Sequence, residues 1–163
     1  MADIPLTRGQ FLLPFVSILD DIGAPTETLL ERSRLPSSLA EKSELYLPLL
    51  PALRFVETAQ RSQGIEDFGF LAARRLQFSH MREKTRALIA HSPTLLVALR
   101  HACREASGED TILSMWIEHD ADHVRVCSRL TGPWLLQLKH AQWIQNIFSV
   151  YIIRQFAEPD WMP

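Results

Sequence analysis

A change of hydrophobic period near residue 112 constrains this chain more than any other feature. Up to that point the apolar residues recur at helical spacing, as in Leu95, Leu96, Leu99, Ala102, Cys103 and Ala106. In "TILSMWIEHDADHVRVCSRL", residues 111–130, the period becomes two. Leu113, Met115 and Ile117 fall on one face, and Val124, Val126 and Leu130 share a face across the turn. This predicts a β-hairpin with residues 119–123 at its tip. Trp116, Arg125 and Cys127 lie on its second face. A lone hairpin among helices implies an α+β fold, predominantly helical, with a small antiparallel sheet built around that hairpin.

The helices are marked by their breakers. Phe11, Phe15, Ile18, Leu19 and Ile22 form a seam with Pro14 in or near the first turn and Gly23 as the stop. Pro25 opens a second helix that carries Leu29 and Leu30 and ends near Leu35 and Pro36. Residues 36–48 read as a polar connector. Pro48 and Pro51 then open a longer helix through Leu53, Phe55, Val56 and Ala59 to Gly64. Two shorter helices follow, over about 66–76 and 82–91. Ser92 fits the N-cap of the next helix, with Pro93 at its first position and Gly108 as its end. Past Gly132 and Pro133 the longest helix runs over about 135–157, apolar on most sides in "NIFSVYIIRQF". Such a helix is central to a core or covered by a partner subunit.

Composition sets the class. The 163 residues suit one compact domain, and 47% hydrophobic with 22% charged residues leaves ample apolar surface for a core. A formal charge of −2 gives no global attraction to nucleic acid or anionic lipid. Cys103 and Cys127 sit inside periodic segments and read as buried free thiols, in keeping with a cytoplasmic setting. "FLLPFVSIL", residues 11–19, resembles a secretory core segment. It is followed by Asp20 and Asp21, has no small-residue cleavage pattern, and is too short to span a bilayer.

Motifs for chemistry are sparse. "HDADH", residues 119–123, would hold zinc through His119 and His123 if it were helical, but its flanks alternate with period two. The position after His119 is Asp120, where a zincin needs glutamate, and Arg125 stands where a calcium loop needs glycine. A solvated turn is the plainer reading. His80, His91, His101 and His140 pair with no cysteine or carboxylate at metal-ligand spacing. No nucleophile elbow, phosphate loop or dinucleotide fingerprint occurs, and the six glycines are scattered singly. Arg74, Arg75, Arg82, Lys84 and Arg86, with Glu83 among them, read as a solvated basic face. Neither a metal nor a cofactor is implied.

"GAPTETLLERSRLPSSLAEKSELYLPLLPALRFVETAQRSQGIEDFGFLAARRL", with "SPTL" at 92–95, Ala98 and Leu99, and "FAEPDWMP" at the end, resembles one branch of the AraC-type transcriptional regulators. That branch carries an arabinose-binding-like N-terminal domain. The matching residues are Gly23, Pro25, Leu29, Leu30, Leu35, Pro36, Pro48, the "GIEDFG" of 64–69, Trp161 and Pro163. The resemblance implies that residues 1–163 are the sensing and dimerising domain of a bacterial regulator. It implies a non-catalytic homodimer that meets promoter DNA only through a C-terminal pair of helix-turn-helix units, and this chain stops before that part. It names no effector, and arabinose does not follow from the family name.

On these grounds the expected effector site is the second face of the hairpin and the helices covering it: Trp116, Arg125 and Trp143, with His101 nearby. Arg125 would suit a carboxylate on the effector. The expected subunit contact is Ile147, Phe148, Tyr151 and Ile152 on the last helix, with ordinary core as the competing assignment. Two other functions stay open: a metal-dependent enzyme using His119 and His123, and an interaction module without a ligand.

Overall fold

A computed structural model describes residues 4–41, 43–121, 123–132 and 139–162. Strand β1 (Leu6–Arg8) leads through a 3-10 turn into α1 (Leu13–Asp21) and α2 (Thr26–Arg32). Strand β2 (Tyr46–Pro48) runs into α3 (Leu49–Gln63), followed by α4 (Phe68–Arg75), α5 (Glu83–Ala90) and α6 (Leu95–Glu109). The hairpin β3 (Leu113–Asp120) and β4 (His123–Leu130) precedes α7 (Lys139–Arg154). The fold is α+β and predominantly helical.

Three of the breakers act where the sequence puts them. Pro14 sits in the first turn of α1, where its missing N–H costs no helical hydrogen bond. Gly23 and Gly64 take left-handed φ values of 68° and 64°, which L side chains adopt only with strain. The hairpin register pairs Leu113 with Leu130, Ile117 with Val126 and Trp116 with Cys127. Leu113, Met115, Ile117, Val126 and Leu130 therefore share one face, and Trp116, Glu118, Arg125 and Cys127 share the other. Ile117 and Val126 pack on the main core, and Leu130 packs on Leu49, Leu53 and Ile112. Helix α6 lies along β3, α5 lies beside α6, and α4 is held between α1 and α7. Gly69 is required at the α4–α7 crossing, since a Cβ there would stand 2.7 Å from the His140 Cα.

Three local expectations are corrected. Ser92 is not the N-cap of α6; Thr94 is, and its hydroxyl accepts from the Val97 N–H at 3.3 Å. Ser92 instead donates to the Leu88 carbonyl at 2.7 Å and so finishes α5. Gly108 does not end α6, which runs to Glu109; the Arg82 guanidinium lies against its bare Cα. Helix α2 ends at Arg32, three residues short of Leu35.

A second sheet went unread in the sequence. β1 pairs antiparallel with β2, Thr7 opposite Leu47, and Thr7 also bridges to Asp110. The Thr111 N–H donates to the Leu6 carbonyl at 3.0 Å. β1 is thus held between the connector and the α6–β3 junction. Strands of three residues are too short to show a period. Pro133, Trp134 and the 135–138 start expected for the last helix lie outside the described residues, as does Pro163.

The capping correction is measurable. Thr94→Ala is expected to cost about 1 kcal/mol in urea unfolding, and Ser92→Ala less than about 0.5 kcal/mol. The reverse order would restore Ser92 as the cap.

Candidate functional site

The residues singled out by sequence come from three places in the fold: Trp116 and Arg125 from one face of the hairpin, His101 from α6 and Trp143 from α7. Trp116 lies on the outer hairpin face, where its indole N–H donates to Glu118 Oε1 at 2.8 Å and Arg129 stacks 5.5 Å above its ring. Arg125 sits near the hairpin tip, exposed, with Asp120 at 3.3 Å. Trp143 is 48% exposed on α7 and packs edge-on against Phe70 of α4. His101 lies on α6 with its Nδ1 buried and without a hydrogen-bond partner among the described residues. On α7, Phe148 and Ile152 are buried in the chain's own core, with Ile147 and Tyr151 packed against it. The Tyr151 hydroxyl donates to the Leu76 carbonyl at 2.6 Å. Cys103 and Cys127 are free and half-buried; burial pushes both thiols up. His119 pairs with Val124 and His123 with Asp120, so the two histidines stand on opposite faces of the ribbon and cannot share an ion. Among the described residues no three His, Cys, Asp or Glu side chains are grouped to hold a metal.

A cavity of about 110 Å³ opens instead on the inner side of the hairpin. Leu113, Met115 and Leu130 form its hairpin wall, facing Leu53 and Val56 of α3 and Ile144 and Phe148 of α7. The space exists because Ala52, Ala102, Ala106 and Ala141 stand where larger side chains would meet. It approaches the size of cavities, ~150 Å³, that accept one benzene ring. The wall is mostly apolar, the usual character of a small-molecule pocket.

Its polar groups come in two sets. Thr7, Thr85, Glu109 and Asp110 line the cavity together, since Thr85 donates to Glu109 at 2.7 Å and Thr7 bridges to Asp110. His140, Gln145 and Ser149 contribute from α7, and Gln145 Nε2 is buried without a hydrogen-bond partner among the described residues. An unsatisfied buried donor costs about 1–3 kcal/mol, so Gln145 favours an occupant that carries an acceptor. No lysine or arginine lines the cavity among its described residues.

Behind the first set lies a buried ion network. Arg8 is 1% exposed, and its guanidinium donates to Glu109 Oε2 at 2.9 Å, Glu44 Oε2 at 2.7 Å and the His80 carbonyl at 2.9 Å. Glu109 also accepts from the Arg82 N–H at 3.1 Å. Arg82 and Lys84 both reach Glu105 at 2.9 Å. The basic residues around 82–86 are thus partly consumed inside the molecule. The hydrogen bond from Lys84 holds the Glu105 carboxyl below its ordinary range, and those from Gln10 and Arg8 do so for Glu44. Asp110 behaves oppositely: burial pushes its carboxyl up, against the opposing pull of the Ile112 N–H and the Thr7 hydroxyl.

Sequence reasoning passed over Glu105 and Glu109. Each follows a buried alanine at i+7 on the buried side of α6, Glu105 after Ala98 and Glu109 after Ala102. Carboxylates at core spacing demand cationic partners, and that signal could have found them. Arg8, 101 residues from Glu109, carries no local sign of its role.

His140 is buried, with Nε2 facing the Gln60 side-chain oxygen at 3.1 Å. Burial, and then the charge of Lys139, lower its imidazole from 6.5 to about 4.

The profile of the family "Arabinose-binding domain of AraC transcription regulator, N-term" matches residues 23–162. No curated protein matches the chain.

Two outcomes are expected. Arg8→Met should destabilise the chain by about 3–5 kcal/mol, because it leaves Glu109 buried and uncompensated, and adding Glu109→Gln should recover part of that loss. A double variant no more stable than Arg8→Met would refute the pairing. For His140 the folded chain binds fewer protons than the unfolded chain between pH 6.5 and about 4. Stability is full above that window and falls as pH drops through it, by about 3 kcal/mol at most. His140→Gln should flatten this acid limb in pH-dependent unfolding; an unchanged slope would assign the loss to other groups.

Proposed function

The chain belongs to the family of the N-terminal arabinose-binding domain of AraC transcription regulators, and from that premise we propose that residues 1–163 are the effector-sensing and dimerising domain of such a regulator. It binds a small molecule without transforming it and works in the cytoplasm, where the promoter is. Promoter contact belongs to a separate pair of helix-turn-helix units. The observation that carries this reading is the apolar-walled cavity under the inner hairpin face, with its two small sets of polar groups.

In this reading the cavity, and not the outer quartet of Trp116, Arg125, Trp143 and His101, is the effector site. An occupant bridges the hairpin, α3, α6 and α7 at once, and favours the arrangement in which they are closed on one another. Its effect on the regulator equals its preference for that arrangement over the alternative. The subunit contact stays on α7. Ile147 and Tyr151 are only half-buried there and Trp143 is exposed, whereas Phe148 and Ile152 serve the core.

Filling the cavity tests the proposal. Ala106→Leu should place added methyl groups in the space at a cost of about 1–3 kcal/mol. Benzene-saturated buffer should raise the melting temperature of the wild-type chain and leave that of Ala106→Leu unchanged. A wild-type chain indifferent to benzene would remove the cavity as an effector site.

A further inference from the structure

We propose that the cavity takes a small primary amine, an ammonium group on an apolar body of about one ring, with Asp110 as its counter-ion. This rests on reading the cavity as the effector site.

The argument is one of charge and shape. Glu109 and Asp110 both line the cavity, and no arginine or lysine does so among the described residues. Glu109 is already compensated by Arg8 and Arg82. Asp110 is 9% exposed and has no ion-pair partner among the described residues; its carboxyl accepts only from neutral groups, the Ile112 N–H at 3.1 Å and the Thr7 hydroxyl. The nearby imidazole of His140 is held neutral by burial and supplies no positive charge. A buried carboxylate without a cation is a costly arrangement, and the raised affinity of Asp110 for a proton is its signature. An ammonium delivered by the occupant would replace that proton and form a charge-assisted hydrogen bond in a desolvated place. An anionic occupant would meet two carboxylates and no cation. The apolar remainder of the wall suits a hydrocarbon body, and 110 Å³ limits that body to a small one. Gln145, whose Nε2 has no partner among the described residues, can take an acceptor on the same molecule.

Benzylamine, benzyl alcohol and benzoate share nearly one shape and differ in head-group charge, so they form the test set. Binding is read by calorimetry and by two-dimensional amide NMR at neutral pH. Benzylamine is expected to bind at least about tenfold more tightly than benzyl alcohol, with benzoate weakest. Amide shifts should gather at residues 7, 110–115 and 141–149. Asp110→Asn, which keeps an acceptor for the Ile112 N–H, should abolish the preference for benzylamine over benzyl alcohol. The head-group order in the wild-type chain stands as evidence even if that variant folds poorly. Equal binding of all three probes, or a preference for benzoate, would overturn the amine assignment while the cavity reading survived. Failure of all three to bind the wild-type chain would overturn both.

Discussion

The bond between Arg8 and Glu109 is the constraint on which the rest of the structure depends. It joins the first strand to the last turn of α6 and lies almost wholly out of water. Two desolvated charges are tolerated only when each is met by several good partners. Arg8 has Glu109, Glu44 and the His80 carbonyl; Glu109 has Arg8, Thr85 and the Arg82 N–H. Satisfying that pair therefore fixes the connector before β2, the turn before α5, and α5 itself. The same ties hold β1 against residues 110–111, from which β3 departs.

The cavity follows from this frame together with residue size. The polar cluster keeps β1 and the end of α6 in place, and the hairpin leaves α6 with its apolar face turned inward. Alanines on α3, α6 and α7 then fail to fill the angle between them. Elsewhere the packing closes tightly, as at Gly69 and His140, where helix backbones approach too closely for a side chain. A close helix crossing on one side thus stands against an underfilled angle on the other.

What was legible in the sequence was local. Pro14, Gly23, Gly64 and the alternation of residues 113–130 act over a few neighbours, and they place the helices and the hairpin faces as the structure has them. The cap of α6 was misassigned because Ser92 and Thr94 both have the right chemistry, and only the direction of the chain past Pro93 decides between them. The β1–β2 sheet and the cavity depend on partners scores of residues apart. Trp116 and Arg125 stand out by their side chains, and the register places them together on the face opposite Leu113, Met115 and Ile117. The cavity wall is built from alanines, leucines and two carboxylates that look ordinary one at a time.

The long sequence interval between Arg8 and Glu109 has a consequence for synthesis. At ribosomal speeds of ~5–20 residues per second, the first strand waits on the order of 5–20 s for its partner to be made. During that interval the Arg8 guanidinium is without its Glu109 partner. The contact that frames the domain therefore closes only after α6 has left the exit tunnel.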